Sequence, residues 1–323
     1  MDAYVGVDLG ATNVRAIVGD GSATVLGEHR RPTPPGPSGI DVTEAVLDAV
    51  RGACDDAGVE PETVEAAGIG SFGPFDLAEG TVVDPANLPD SVDVIPLTGP
   101  VEQLIDAERV YVHNDTTAGV IGERFHSERN PDDMVYLTIS SGIGAGVCVD
   151  GEILDGWDGN AGEVGHYTVD PTGARICGCG RPGHWEAYCS GNNLPGYVRD
   201  LAAETNLETA LDLDDPTLDG ADVFALADGD PLVDHALERM NTWNALGVAD
   251  VVHSYAPLVI RIGGAVALNN EAWVIDPLRE RVPEMVISNV PEIEPAILGE
   301  EAVVKGALAS AVSARTGDRR RTG

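Results

Sequence analysis

Lysine is almost missing from this chain. Lys305 is the only one in 323 residues, and the other members of the 19 cationic side chains are arginines. Against them stand 54 acids, scattered along the chain, for a formal net charge of −35. Such a surface repels itself in dilute buffer and is screened in molar salt. The composition therefore points to a cytoplasm of very high salt. It also argues against nucleic acid as a partner, because a phosphate backbone calls for a basic patch. Arg319 to Arg321 form the one basic run, and residues 317–323 are expected to be a disordered tail. Long apolar runs are missing too. No stretch of about 18 apolar residues exists, which excludes a membrane-spanning helix. The opening "MDAYVGVDLG" has an acid where the basic start of a secretory signal would sit, so a cytoplasmic location is expected. There are only five cysteines, and Cys54 and Cys148 stand alone in apolar patterns. They read as buried small hydrophobes, not as disulfide partners.

What is present is enough for two cores. A chain of 323 residues with 43% hydrophobic content predicts two domains. "AYVGVDLG" reads as a strand running into a glycine turn, followed by the strands "NVRAIVGD" and "TVLGEHRR". From Val42 the apolar positions Ala45, Val46, Ala49, Val50 and Ala53 recur at helical spacing. "VEAAGIGS" and "RVYVHN" read as strands, and "DTTAGVIGERF" as a helix. At residue 134 the opening pattern returns: "MVYLTIS", a glycine turn "SGIGAG", then "VCVDGEIL". This suggests two similar halves facing one cleft. Further on, "NNLPGYVRDLAAET", residues 232–254 and "EEAVVKGALASAV" read as helices, "PLVIRIGGAVAL" as a strand into a Gly-Gly turn, and "LDLDDPTLDGAD" as a surface loop.

Three glycine turns follow apolar strands: Gly10 to Asn13, Ser140 to Gly146, and Gly263–Gly264. Glycine lets backbone N–H groups approach an anion closely. None of the three matches the P-loop, which ends in Gly-Lys-Ser/Thr. Together they suggest a nucleotide held between two α/β lobes. Asp8, directly before the first turn, is either a turn cap or a carboxylate that orients Mg²⁺ beside the phosphates. Thr12 has a hydroxyl to donate to a terminal phosphate. Asn114–Asp115 closes a strand and opens a helix. It reads equally as an N-cap or as a general base for phosphoryl transfer to a hydroxyl. His166, Cys177, Cys179 and His184 form H-x10-C-x-C-x4-H. Four N/S donors in a closed set suit structural zinc. The competing redox pair normally takes C-x-x-C. Cys189 lies outside the set.

"DLGATN", "GIGSFGPFD", "DPANLP", "HNDTTAGVIGE", "LTISSGIGAGVCVDG" and "GEVGH…CGCGRPGHWEAYCSG", in this order, resemble the ROK family of sugar kinases and repressors over residues 3 to about 312. The resemblance implies an α/β fold: the two-lobed, actin-like ATPase or sugar kinase (ribonuclease H-like) fold with an interlobe cleft. Residues 1–116 and 301–316 would form the N-terminal lobe. Residues 117–300 would form the C-terminal lobe with the second phosphate loop, the zinc loop and the adenosine site. It implies Asp115 as catalytic base, and Asn87, Asn114, Asp115, Glu163, His166 and Glu186 as hexose contacts. Asp8, Gly10, Thr12, Asn13, Ser141, Gly142, Gly144, Gly263 and Gly264 would hold ATP and Mg²⁺. His166 would touch both sugar and zinc. His184 stands where the family has its third zinc cysteine, "GAT" where many members have a second glycine, and "SSG" where many have Gly-Thr-Gly. The activity implied is phosphorylation of a hexose 6-hydroxyl, foremost of glucose, by a homodimer or tetramer. N-acetylmannosamine, fructose or mannose are the alternative sugars. A non-catalytic sugar-responsive regulator is the reading from another class. The family's repressors carry a DNA-binding segment ahead of the kinase lobes, and none is expected where the first strand begins at residue 3.

Overall fold

The computed structural model describes residues 2–85, 88–89 and 91–321. In chain order it runs β1 (Ala3–Leu9), β2 (Asn13–Gly19), β3 (Val25–Pro32), α1 (Gly39–Ala57), β4 (Val64–Ser71), β5 (Phe75–Asp76), β6 (Thr81–Val83), β7 (Val94–Pro96), α2 (Thr98–Ile105), β8 (Val110–Asn114) and α3 (Asp115–His126). Then follow β9 (Met134–Ile139), β10 (Ile143–Val149), β11 (Glu152–Ile153), α4 (Glu186–Cys189), α5 (Leu194–Glu204), α6 (Gly220–Ala225), α7 (Pro231–Tyr255), β12 (Val259–Gly263), α8 (Ala265–Asn269), α9 (Glu271–Met285), β13 (Glu292–Pro295) and α10 (Ala302–Val312). The chain divides into two compact units, residues 1–136, 146–162 and 300–323 in one and residues 137–145 and 163–299 in the other.

In the first unit the sheet order is β3-β2-β1-β4-β8. The two hairpin pairs are antiparallel, and β4 pairs parallel with both β1 and β8. Strand alternation sends Val5, Val7, Leu9, Val14, Ala16 and Val18 into one core with α1. That helix begins at a Ser38–Asp41 capping box and stops at Gly58, whose φ of +66° an L side chain adopts with difficulty. The opposite face packs on α3 and α10 through Ile17, Ile121, Phe125, Val304 and Leu308. This second face is paved with glycine. A Cβ on Gly68 would fall 1.9 Å from the carbonyl oxygen of Ala307, and one on Gly6 would fall 2.5 Å from the Leu308 nitrogen. On the far side of α10, a Cβ on Gly306 would lie 1.8 Å from the carbonyl oxygen of Ala118 in α3. The helix therefore sits in a slot only as wide as a backbone.

That slot moves the expected boundary after residue 116. Helix α3 belongs with the first unit because its backbone is pressed against α10. The segment 146–162 groups there too, with Arg124 as one reason. Its guanidinium is fully buried and donates to the carbonyls of Pro131, Gly151 and Thr316. The disordered tail is corrected as well, through residue 321. Asn130 donates to the Gly317 carbonyl, and Arg319 donates to the carbonyls of Ser127 and Glu128. Arg320 pairs with Asp132 at 2.5 Å and with the buried Asp318 at 2.8 Å. In so acidic a chain the arginines at the end have carboxylates to hold them.

The second sheet has the order β11-β10-β9-β12-β13. Three elements that periodicity does not show are present: the small β5-β6-β7 sheet, α2 and α9. Helix α9 carries Pro277 and Pro283 inside it, residues that ordinarily argue against a helix interior. Cys54, Cys148 and Cys189 are buried and unpaired, and Cys189 Sγ donates to the Met240 carbonyl. Among the described residues no helix is long and apolar enough to cross a membrane.

Gly306→Val is expected to destabilise by about 3 kcal/mol or more through overpacking against α3. Gly99→Ala, where a Cβ meets nothing within 4 Å, should be neutral or stabilise by about 0.5 kcal/mol. Urea denaturation in molar KCl reads both, and a Gly306→Val protein as stable as the parent contradicts the slot.

Candidate active site

In the first unit the parallel strands end together. Asp8, Gly70 and His113 share one register row, and Leu9, Ser71 and Asn114 the next. The carboxyl ends of parallel strands are where α/β sheets bind ligands. The first glycine turn springs from β1: Gly10 N donates to the Asn13 carbonyl at 2.9 Å, leaving Ala11 and Thr12 exposed. Thr33 straps this turn from β3's end, its hydroxyl donating to the Gly10 carbonyl at 2.7 Å and its N–H to the Thr12 carbonyl at 2.9 Å. Nothing in sequence distinguished Thr33, which lies in a proline-rich break.

Asp8 is pushed up to about 6, first by burial and then by the charge of Asp115, while Arg15 and Arg30 pull the other way. The two carboxylates therefore feel one another. Arg15 and Arg30 lie in the same register across the sheet as Asp8. Arg15 is shared between Glu28 and Glu301, each at 2.9 Å.

Of the two roles that the sequence left open for this pair, the N-cap falls to Asn114. Asn114 is the N-cap of α3, and its Oδ1 accepts from the Thr116 N–H at 3.0 Å and the Thr116 hydroxyl at 2.9 Å. Asp115 is the first residue of the helix and exposed, with Oδ1 accepting from the Thr116 N–H at 2.7 Å. A helix N-terminus favours an ionised carboxylate. One residue earlier, His113 is buried with Nε2 at 2.6 Å from the Ser310 hydroxyl. Burial pushes His113 down to about 3, so it stays neutral and contributes no charge beside Asp115. Asn87, expected as a sugar contact, lies outside the described residues.

In the second unit, Ser140 N–H donates to the Gly142 carbonyl at 2.9 Å, closing the second glycine turn, and Gly191 N–H donates to the Ser140 carbonyl at 2.7 Å. Ser141 is exposed at its tip, and Gly144 is half-buried within β10. Gly263 ends β12, and Gly264 has φ +88°. A Cβ on Gly264 would stand 2.5 Å from the Ile139 carbonyl, so the third turn packs directly against the root of the second. Beside them, α6 and α8 border a cavity of about 340 Å³ lined by Phe224, Ala225, Val266 and Asn269.

Glu186 joins this turn to the Cys/His stretch. Its Oε2 accepts from the Ile143 N–H at 3.0 Å, and a Cβ on Gly142 would come within 2.8 Å of that oxygen. Its Oε1 lies 3.8 Å from Cys177 Sγ. Glu163 is exposed, with Oε2 at 3.7 Å from His166 Nε2. Desolvation raises Glu163 first, His166 opposes it, and Glu186 adds to it. The structure thus brings together Glu163, His166 and Glu186. The other ring nitrogen of His166, Nδ1, faces Cys177 Sγ at 3.8 Å.

His166, Cys177, Cys179 and His184 present four donor atoms within 4.8 Å of one another. Cys179 Sγ and His184 Nδ1 are 3.2 Å apart. Tetrahedral zinc, with Zn–S of about 2.3 Å and Zn–N of about 2.0 Å, requires S···N separations of about 3.5 Å. The donor set fits that ion in chemistry and spacing. A tight knuckle carries the two cysteines: Cys177 N–H donates to the Arg181 carbonyl, Gly180 N–H to the Cys177 carbonyl, and Gly180 sits at φ +83°. Asp170, another residue the sequence did not flag, anchors the stretch from below. Its carboxylate accepts from the Tyr188 hydroxyl at 2.5 Å and from Thr172 and Ala174 N–H groups. These bonds outweigh its burial and bring its carboxyl down to about 2.

The chain is 35% identical over 315 residues to a glucokinase of Pyrobaculum calidifontis, covering 96% of this chain and 95% of that one. Among solved structures, a ROK hexokinase from Thermus thermophilus superposes with a TM-score of 0.81 at 32% identity, covering 96% and 97% of the two chains. A ROK family glucokinase from Streptomyces griseus, in complex with glucose and AMPPNP, superposes with a TM-score of 0.73 at 30% identity, covering 96% and 99%. The sequence model of the ROK family matches residues 4–313. The chain belongs to the ROK family, and its fold is the actin-like fold of that family's sugar kinases.

Proposed function

We propose that this protein is an ATP-dependent hexose 6-kinase whose substrate is glucose. The observation that carries the reading is similarity along nearly the whole chain to a glucokinase solved with glucose and AMPPNP. Local chemistry supports it. Asp115 is exposed at a helix start, next to a neutral His113 and within electrostatic reach of Asp8. In this reading the Asp115 carboxylate takes the proton of the sugar 6-hydroxyl as that oxygen bonds to the γ-phosphorus. The bond from phosphorus to the β-phosphate oxygen breaks, and ADP leaves. Asn114, Glu163, His166 and Glu186 hold the hexose hydroxyls. The N–H groups of the turns at Gly10–Asn13 and Ser141–Gly144 hold phosphate oxygens, and the cavity beside Gly264 takes the adenosine.

Asp8 would be the oxygen donor to the Mg²⁺ of the nucleotide, a hard cation that prefers carboxylate and water. When bound, the ion neutralises phosphate charge. His166, Cys177, Cys179 and His184 would hold zinc, and His166, bound through the ring nitrogen that faces Cys177, would keep Nε2 toward Glu163. A homodimer working in a cytoplasm of high salt completes the reading. The net charge of −35 and the single lysine support the high-salt part of that reading, and light scattering in molar KCl tests the dimer.

Asp115→Asn should lower kcat with glucose by roughly 10²- to 10⁴-fold, with the KM for glucose changed only a few-fold. An ADP-release assay in molar KCl measures it, and turnover near the parent's would remove Asp115 from the base role. The purified protein should contain about one zinc per chain by elemental analysis. Cys179→Ala should lose the zinc and raise the KM for glucose far more than that for ATP, and a zinc-free protein with unaltered kinetics would count against the site. Asp8 is neutral below its raised value of about 6 and ionised above it. Binding of Mg·ATP should therefore weaken as the pH falls from 7.5 to 5, and Asp8→Asn should flatten that dependence. An equally steep profile in the variant would assign the proton elsewhere.

A further inference from the structure

One buried hydroxyl holds the first glycine turn in shape. Thr33 is 7% exposed and follows β3 directly. Its hydroxyl donates to the Gly10 carbonyl at 2.7 Å, and its N–H donates to the Thr12 carbonyl at 2.9 Å. Thr33 has little freedom of its own. Pro32 and Pro34 flank it, and proline fixes its own φ and keeps the residue before it extended. The turn is therefore tied to a stiff segment. The direction of the two bonds decides what the turn offers. A trans peptide is planar and carries its C=O and N–H on opposite sides, and the peptides of this turn are trans. With the Gly10 and Thr12 carbonyls turned toward Thr33, the N–H groups of Ala11 and Asn13 are turned away from it. Gly10 N–H is spent within the turn, on the Asn13 carbonyl. Ala11 and Thr12 are exposed, so the outward side of the turn carries backbone donors, the groups an anion needs. The same turn stands close to the proposed base. Asp8, two residues before Gly10, feels the charge of Asp115, and all of these residues belong to the first unit. Of the phosphates of a nucleotide, the one held beside Asp115 is the one that is transferred.

We infer that Thr33 is a positioning residue that fixes the first glycine turn in the shape that receives the terminal phosphate of ATP. The inference rests on the hexose kinase reading and adds a residue to it. Thr33 acts through the turn and not by contact with a substrate. Its hydroxyl satisfies a carbonyl that would otherwise be free to rotate the Gly10–Ala11 peptide and carry the Ala11 N–H inward. Held in advance, the donors need no ordering when the nucleotide arrives, which favours binding. The benefit falls on the terminal phosphate alone, because that is the group the first turn meets.

The test uses the full chain in molar KCl, with Thr33→Val, which replaces the hydroxyl by a methyl, and Thr33→Ser, which keeps it. Calorimetry with Mg·AMPPNP should show roughly fivefold weaker binding to Thr33→Val than to the parent, the effect of one lost hydrogen bond. Binding of Mg·ADP, which lacks the terminal phosphate, should match the parent's, as should the KM for glucose. Thr33→Ser should recover most of the loss. Thr33→Ala carries the same expectations as Thr33→Val and replaces it if the valine does not fold. A hydroxyl-free variant that binds Mg·AMPPNP as tightly as the parent, or that loses affinity for Mg·AMPPNP and Mg·ADP equally, overturns the positioning role and leaves the kinase reading intact. A parent protein that binds no Mg·AMPPNP and phosphorylates none of glucose, mannose and fructose overturns both.

Discussion

The active half of the first unit depends on backbone-to-backbone contact. Helix α10 lies against β1 and β4 where Gly6 and Gly68 carry no side chain, and against α3 where Gly306 carries none. Were any of these a larger residue, β1, β4 and α3 would be spread apart. Those three elements bring Asp8, Ser71 and Asp115 to one edge. The electrostatic coupling of Asp8 to Asp115 is a consequence of that close packing. Two carboxylates at one edge would both be disfavoured in a dry site. Here the burden falls on the more buried Asp8, while Asp115 remains exposed at a helix N-terminus.

The second unit uses one carboxylate as its junction. Glu186 accepts the N–H of Ile143 at the second glycine turn and reaches toward Cys177. Its neighbour Trp185 is buried, with Nε1 donating to Asn244 Oδ1 at 2.8 Å, so the short helix α4 cannot rotate freely. The Cys/His stretch has little apolar shell of its own. It is held instead by the Asp170–Tyr188 bond and the knuckle at Gly180. In such loops a metal or a buried polar anchor supplies the order that a core supplies elsewhere.

Much of this was legible in the residues. Apolar strands ending in glycine turns announced β1, β9 and β12, and the stripe from Val42 to Ala53 announced α1. The four N/S donors were readable because ligand chemistry restricts residue type. What was not legible depends on partners distant in the chain. The boundary expected after residue 116 separated α3 from the first unit because the close approach of Gly122 to α10 joins residues far apart in the chain. The terminal arginines read as a loose tail because Asp132 and the carbonyls of Ser127 and Glu128 lie far from them in the chain. Thr33 and Asp170 are ordinary residues whose role lies entirely in the carbonyls and N–H groups they meet. Helix α9 was hidden by its prolines.

The central claim concerns one proton and one carboxylate. A crystal structure of this protein with glucose and AMPPNP, grown in high salt, addresses it most directly. The account predicts an Asp115 carboxylate oxygen within about 3 Å of the glucose 6-oxygen. A 6-oxygen beyond hydrogen-bond reach of Asp115, with another base in contact with it, would contradict the account.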